Sequence, residues 1–443
     1  MHPTDLHIDP ADPSPSGILL TNAIIPFLGK TITRDILVRE NRVVACAPTG
    51  GIELSADDAS SSLRVDATGK LLFPSLIDAH THLREPGFEY KEDIASGLHA
   101  AAYGGFGTVM AMGNTRPVND TSSVTRYMLE KAALYHPHGP RLLPVGALTV
   151  GLKGAELAPM GELAEAGCVA FSNDGRPVTN TEIFRRAVEY AAQWGRLVID
   201  HCEDEFLAKG AHMNEGESSA RMGVKGQPTV AEALHVARDI LLSEYLDLPI
   251  HLAHISCRQS VELIAFAKKR GIKITAETCP HYLALDETRL ERYDASAKVS
   301  PPLRSPEDVL AVKKGVSEGL FDMFVTDHAP HAPHEKDHPL NESPNGFIGL
   351  ETALPLTWGF VRQGLLSEQT LIRMWHSGPS EIFGIRINTF MPGDPADFFL
   401  FDPDMEWKVS RETLHSKSLN TPFLGQTLRG KVTAHWIGGR RII

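Results

Sequence analysis

The chain has 443 residues, 42% of them hydrophobic, and a formal net charge of -12 at pH 7. That is enough apolar material for a large core and too little basic charge for a nucleic-acid partner, which needs a basic face. The five cysteines, Cys46, Cys168, Cys202, Cys257 and Cys279, form no C-x-x-C pair, and with no apolar leader or membrane-length run they point to reduced thiols in the cytoplasm.

In chain order, the acidic, Pro-rich residues 1–16 read as a frayed arm, and the short β-rich runs of residues 17–71, broken by Gly, Asn and Pro, read as a small β unit. From about Leu72 strands alternate with helical segments. The strand candidates are "PSLIDAHTH", "GTVMAMGN", "RLLPVGALT", "GCVAFSND", "RLVIDHCE", "PIHLAHIS", "KITAETCPH" and "DMFVTDHAPH". Between them lie helix candidates such as "TEIFRRAVEYAAQW", capped by Thr or Asn and stopped at Gly195, and "PEDVLAVKKGVSEGL", with Pro306 placed for a first turn. Eight such units predict an α/β fold, a closed (β/α)8 TIM-like barrel over residues 72–385, rather than an open doubly wound sheet.

Polar residues collect at one end of these strands: His80 and His82 on the first, Asp174 on the fourth, then His201, His254, His281 and Asp327 on the fifth to eighth. In a parallel barrel those ends converge on one mouth, where barrel active sites lie. His80 and His82, at i and i+2, face the same side of an extended strand. With His201, His254 and the two aspartates they match an imidazole and carboxylate metal shell. Single histidines such as His99, His136, His138, His235 and His415 read as ordinary surface or hydrogen-bonded residues. A group of six ionisable strand-end residues does not, because burying them together costs several kcal/mol per unpaired ion unless a metal compensates.

The stretches "DAHTHLREPG", "GNTRPV", "AFSNDG", "IDHCED", "HLAHIS", "TCPHYLALD", "PPLR", "TDHAPH" and "GFIGLETALPL" together resemble the dihydroorotases of the amidohydrolase superfamily, in their bacterial type I branch. The H-x-H and T-D-H elements are shared with hydantoinases and allantoinases; "HLREPG", with its arginine, points to dihydroorotase. The C-terminal "GDPADFFLFDP" and "SKSLNTPFLGQTLRGKVTAHWIGGR" resemble the flanking β domain of the same enzymes. The resemblance therefore implies that residues 17–71 and 386–443 build one small β-sandwich domain from both chain ends.

It further implies two zinc ions per subunit, one on His80, His82 and Asp327, one on His201 and His254, bridged by Asp174. Many relatives bridge the metals with a carboxylated lysine. Here "AFSNDG" offers no lysine, and Asn173 stands where type I relatives more usually carry a first aspartate, leaving Asp174 as the only carboxylate of that turn. Asp327 would take the proton of the attacking water and pass it to the departing ring nitrogen, interconverting (S)-dihydroorotate and N-carbamoyl-L-aspartate in pyrimidine (UMP) synthesis. Arg84, Asn114 and His331 are the expected partners of the substrate carboxylate. Two departures stand out: Ser300, where the family usually has asparagine before "PPLR", and "MGNT" in place of "MPNT". Ser300 remains a substrate-binding candidate with a shorter side chain.

Two alternatives stay open at this level. One is another cyclic amidase (dihydropyrimidinase, hydantoinase or allantoinase), against which Arg84 speaks, since a neutral ring gives it nothing to pair with. The other is a non-catalytic subunit of aspartate transcarbamoylase, which would typically have lost metal ligands. A homodimer and association with an active transcarbamoylase are likewise left open.

Overall fold

The structure is a computed structural model describing residues 17–26, 33–135 and 138–443. The arm expected at 1–16, and His136, lie outside the described residues.

Eight parallel strands follow one another around a single sheet in chain order: Leu76–Thr81, Phe106–Ala111, Arg141–Ala147, Ala170–Ser172, Leu197–Asp200, Ile250–Leu252, Ile274–Thr278 and Met323–Phe324. Almost every residue in them is buried, as expected for strands covered by side chains within and helices without. The eighth strand returns to the first through a Thr81–His328 bridge, with the His82 N–H donating to the His328 carbonyl at 2.8 Å. The sheet is thus a nearly closed barrel.

The acid that precedes the two histidines belongs to this closure. Asp78 is fully buried and accepts hydrogen bonds from both the hydroxyl and the N–H of Thr326. Burial pushes its carboxyl up to about 7 against those bonds.

The expected helices form where the capping residues put them. Asn180 accepts from the N–H groups of Glu182 and Ile183 at the head of Thr181–Gln193. Ser305 caps Pro306–Ser317, with Pro306 in its first turn, where a missing N–H costs nothing.

The two ends of the chain meet in a second, eight-stranded sheet, which joins Gly17–Ile24, Thr33–Arg39, Arg42–Pro48, Ser62–Asp66 and Leu71–Pro74 to Phe398–Lys408, Thr427–Ile437 and Arg440–Arg441. Leu71–Pro74 pairs antiparallel with Phe398–Lys408, setting Phe73 opposite Phe399. The alternation of side chains makes this pair a shared wall. Leu72, Phe398 and Leu400 enter the sheet's own core with Ile18, Ile36 and Trp436. Phe73, Phe399 and Phe401 point the other way, into the barrel core, where Phe73 stacks on Phe399 at 5.5 Å between ring centres.

The C-terminal segment also reaches the barrel mouth. Asn420 donates to the carbonyls of Ala329 and Gly346 and accepts from the His331 N–H at 3.0 Å, so it holds the loop that follows the eighth barrel strand.

Candidate active site

The six strand-end residues come together at the mouth. His80 is the last residue but one of the first strand, with His82 just beyond the strand; Asp174, His201, His254 and Asp327 follow the fourth, fifth, sixth and eighth within three residues. All six are buried. Asp174 is at the centre. Its Oδ1 lies 3.3 Å from His80 Nε2, 3.2 Å from His201 Nδ1 and 3.3 Å from His254 Nε2, and its Oδ2 lies 3.4 Å from His82 Nε2. Asp327 Oδ1 is 3.0 Å from His82 Nε2 and 3.9 Å from His80 Nε2.

His80, His82 and Asp327 form one group able to hold a cation, and His80, Asp174 and His254 a second. His201 adjoins that second group, its Nδ1 only 2.9 Å from His254 Nε2. Three of these residues' neighbours or members hold left-handed backbone that non-glycine residues seldom adopt: His254 at φ 33°, Asp327 at φ 48° and Arg84 at φ 65°.

The chemistry of this donor set fits a metal. Four imidazoles converge on two carboxylates, and among the described residues the buried Nε2 of His80 has no hydrogen-bond partner. The far nitrogens are tied down: His80 Nδ1–H donates to Glu277 Oε1 at 2.8 Å and His82 Nδ1–H to Asn114 Oδ1 at 3.0 Å. Each bond turns Nε2 toward the cluster, the nitrogen a metal would take. Burial would raise the Asp174 carboxyl, but the His80 charge and hydrogen bonds from His201 and His254 hold it well below the usual carboxylate range.

Beside the cluster opens a cavity of about 280 Å³, lined by Arg84, Asn114, Glu203, Ser300 and His331 as well as by the ligand candidates. Arg84 is half-buried and donates from Nε to the Pro330 carbonyl at 3.1 Å; its Nη2 faces His331 Nε2 at 3.4 Å. Among the described residues no carboxylate pairs with this guanidinium. Burial lowers its pKa to about 10, opposed by the fields of Asp327, Glu335 and Asp174. A charge held this way calls for an anion from outside the chain.

The other expected substrate contacts are less free. His331 donates from Nε2 to the Asn345 carbonyl at 2.8 Å, while its Nδ1 faces Lys91 Nζ at 3.4 Å. Burial and the charges of Arg84, Lys336 and Lys91 keep its ring neutral. The Ser300 hydroxyl donates to Glu203 Oε2 at 3.2 Å. Asn114, by contrast, spends its oxygen on His82 and keeps its amide N–H groups available. His281, one of the polar strand ends, sits on the short helix Pro280–Ala284 with its ring against Tyr282 and Phe347, and it joins neither cation-holding group.

Two acids at the site escaped the sequence reading. Glu203 lies 3.7 Å from His201 Nε2 and accepts from Gln227 Nε2 at 2.7 Å; burial opposes its ionisation, yet those contacts bring its pKa to about 2. Its signal was its place two residues after a ligand candidate in "HCED". Glu277 lies inside the seventh strand, and its signal was a charged residue amid a buried run.

Comparison with known proteins places the chain among named relatives. The profile of the family "Dihydro-orotase-like" matches residues 69–260. A dihydroorotase from Geotalea daltonii is 46% identical over 411 residues, covering 92% of this chain and 94% of its own. One from Geobacter metallireducens is 47% identical over 381 residues, covering 86% and 89%. Among solved structures, the L-hydantoinase (dihydropyrimidinase) of Arthrobacter aurescens superposes with a TM-score of 0.84 at 23% identity over 96% of this chain and 95% of that one. The dihydropyrimidinase of Brevibacillus agri does so with a TM-score of 0.79 at 24% identity over the same shares. At that identity the two structures speak for the barrel fold alone.

Proposed function

The chain belongs to the dihydroorotase family, and from that premise we propose that it is a zinc-dependent cyclic amidohydrolase that reversibly interconverts N-carbamoyl-L-aspartate and (S)-dihydroorotate in de novo pyrimidine synthesis. The observation that carries the reading is the meeting, in one cavity, of the imidazole and carboxylate cluster with an arginine that has no acidic partner among the described residues. The first supports opening a ring amide. The second supports a substrate that brings its own carboxylate.

In this reading His80, His82 and Asp327 would hold one zinc and His201 and His254 a second, with Asp174, in reach of all four imidazoles, available to both. Bound zinc supplies a water that ionises near neutral pH and polarisation of the ring carbonyl. The chain's own residues do the rest. Arg84 offers a planar fork to the substrate carboxylate and Asn114 an amide N–H, which fix the ring with its scissile bond toward the cluster. Asp327 accepts the proton of the attacking water and returns it to the ring nitrogen as the C–N bond breaks; ring closure runs the same transfers backwards. The Ser300 hydroxyl and His331 ring complete the cavity wall. The five free thiols support a reducing, cytoplasmic setting.

Arg84→Met tests the substrate class. A hydrogen bond to a charged group contributes roughly 1.5 to 3 kcal/mol, so kcat/KM for dihydroorotate should fall about 10- to 10³-fold. Metal content should stay the same, and any slow hydrolysis of the neutral dihydrouracil ring should survive. Dihydroorotate turnover indifferent to the substitution would remove the carboxylate argument and favour a neutral-ring amidase.

A further inference from the structure

Glu277 takes no part in the reaction just described, yet it lies directly beneath the metal cluster. It sits on the seventh barrel strand with its side chain fully buried, where an uncompensated carboxylate would cost several kcal/mol. Each hydrogen bond its carboxylate makes goes to a histidine. Oε1 accepts from His80 Nδ1 at 2.8 Å and from the main-chain N–H of His254 at 3.2 Å. Oε2 meets His251 Nε2 at 2.9 Å, and the other nitrogen of that ring is paired with the Thr275 hydroxyl at 2.7 Å. The main-chain carbonyl of Glu277 accepts from the Ile255 N–H at 2.9 Å, so the residue holds the left-handed turn at His254 from both sides.

The supports of the four imidazoles are unequal. His82 leans on a neutral amide, and the acid near His201 stands 3.7 Å away. Among the described residues, Glu277 is the one carboxylate outside the cluster within hydrogen-bond distance of a ligand imidazole. That imidazole, His80, belongs to both cation-holding groups, and His254 belongs to one of them.

We propose that Glu277 is a positioning residue of the metal centre, whose Oε1 locks the His80 ring with Nε2 outward and pins the His254 turn, so that it sets the affinity of both metal positions together. The proposal rests on the metal-centre reading above. A carboxylate on the far N–H of a ligand imidazole fixes the ring's orientation and raises its basicity, and loss of such a partner typically weakens metal binding about 10- to 100-fold.

Glu277→Gln removes the charge and keeps the shape, since the amide oxygen can still accept both N–H groups and the amide nitrogen can face an unprotonated His251 Nε2. Zinc loading should be followed against buffered free zinc, with metal counted per chain, alongside the melting temperature of the metal-free protein. The expected result is that both ions need about 10- to 100-fold more free zinc for half-loading, with the metal-free melting temperature unchanged. A loading curve that coincides with wild type, a shift of one ion alone, or lost metal-free stability at unchanged zinc affinity would overturn the proposal. Failure of the wild type itself to take up zinc would instead strike the metal-centre reading. Should the variant not fold, nitrogen NMR of histidines in zinc-loaded wild type decides: His80 should carry its proton on Nδ1, and a metal-bound Nδ1 would contradict the proposal.

Discussion

Asp327→Asn should lower kcat by at least about 10²-fold, the lower end of what general acid-base catalysis contributes. Asparagine keeps an oxygen toward the cluster, so the loss should appear at undiminished metal content. What it cannot do is accept a proton. In the native chain burial would raise the Asp327 pKa, but a hydrogen bond from His82 and the charges of His80, His82 and His254 hold it lowered, so the carboxylate stays ionised and able to accept one. Its left-handed backbone, immediately beyond the eighth strand, turns the carboxylate into the mouth beside both the cluster and the cavity. Steady-state kinetics with zinc measured on the same preparation check this. A near-wild-type kcat would move the proton transfer to another group.

The second large effect is metal removal. Stripping the protein with a chelator should abolish turnover, and added zinc should restore it. The physical reason lies in the cluster itself, where four buried imidazoles and two carboxylates crowd together with atoms 2.9 to 3.4 Å apart and, among the described residues, His80 Nε2 and His254 Nδ1 have no hydrogen-bond partner. Without a cation those groups can only share protons; with one, ionised water and a polarised carbonyl become available near neutral pH. Full activity in rigorously metal-free protein would remove metal from the mechanism.

Much of this site was legible in the sequence because strand geometry is local. The i, i+2 spacing of His80 and His82 puts both on one face whatever the rest of the fold does, and a buried run that ends on a polar residue marks a barrel mouth. Asp174, His201, His254 and Asp327 follow from the same rule, even though the eighth strand proves only two residues long, Met323–Phe324. His281 shows where the rule fails. A polar residue at a strand end can pack its ring against aromatic side chains instead of joining the cluster, and nothing near it in sequence forecasts Phe347 beside it.

Glu277 and Glu203 were missed for a different reason. Their roles are set by partners distant in sequence, His80 at 197 residues and Ser300 at 97, and hydrophobic period carries no information about such pairs. The end-to-end sheet is similar. The β character of the N-terminal runs is a matter of composition, but their pairing with Phe398–Lys408 came only through the family resemblance. Asp78 could be noticed as an acid in an apolar strand, while its partner Thr326 lies 248 residues on, across the closing seam of the barrel.

The most direct test of the central claim is to assay one zinc-loaded preparation on dihydroorotate, dihydrouracil, hydantoin and allantoin side by side. A metal-binding cluster next to a half-buried arginine that pairs with no carboxylate among the described residues predicts that dihydroorotate, the ring with a carboxylate, is turned over with the highest kcat/KM by a wide margin. Preference for a neutral ring, or no turnover of dihydroorotate at full zinc occupancy, would contradict it.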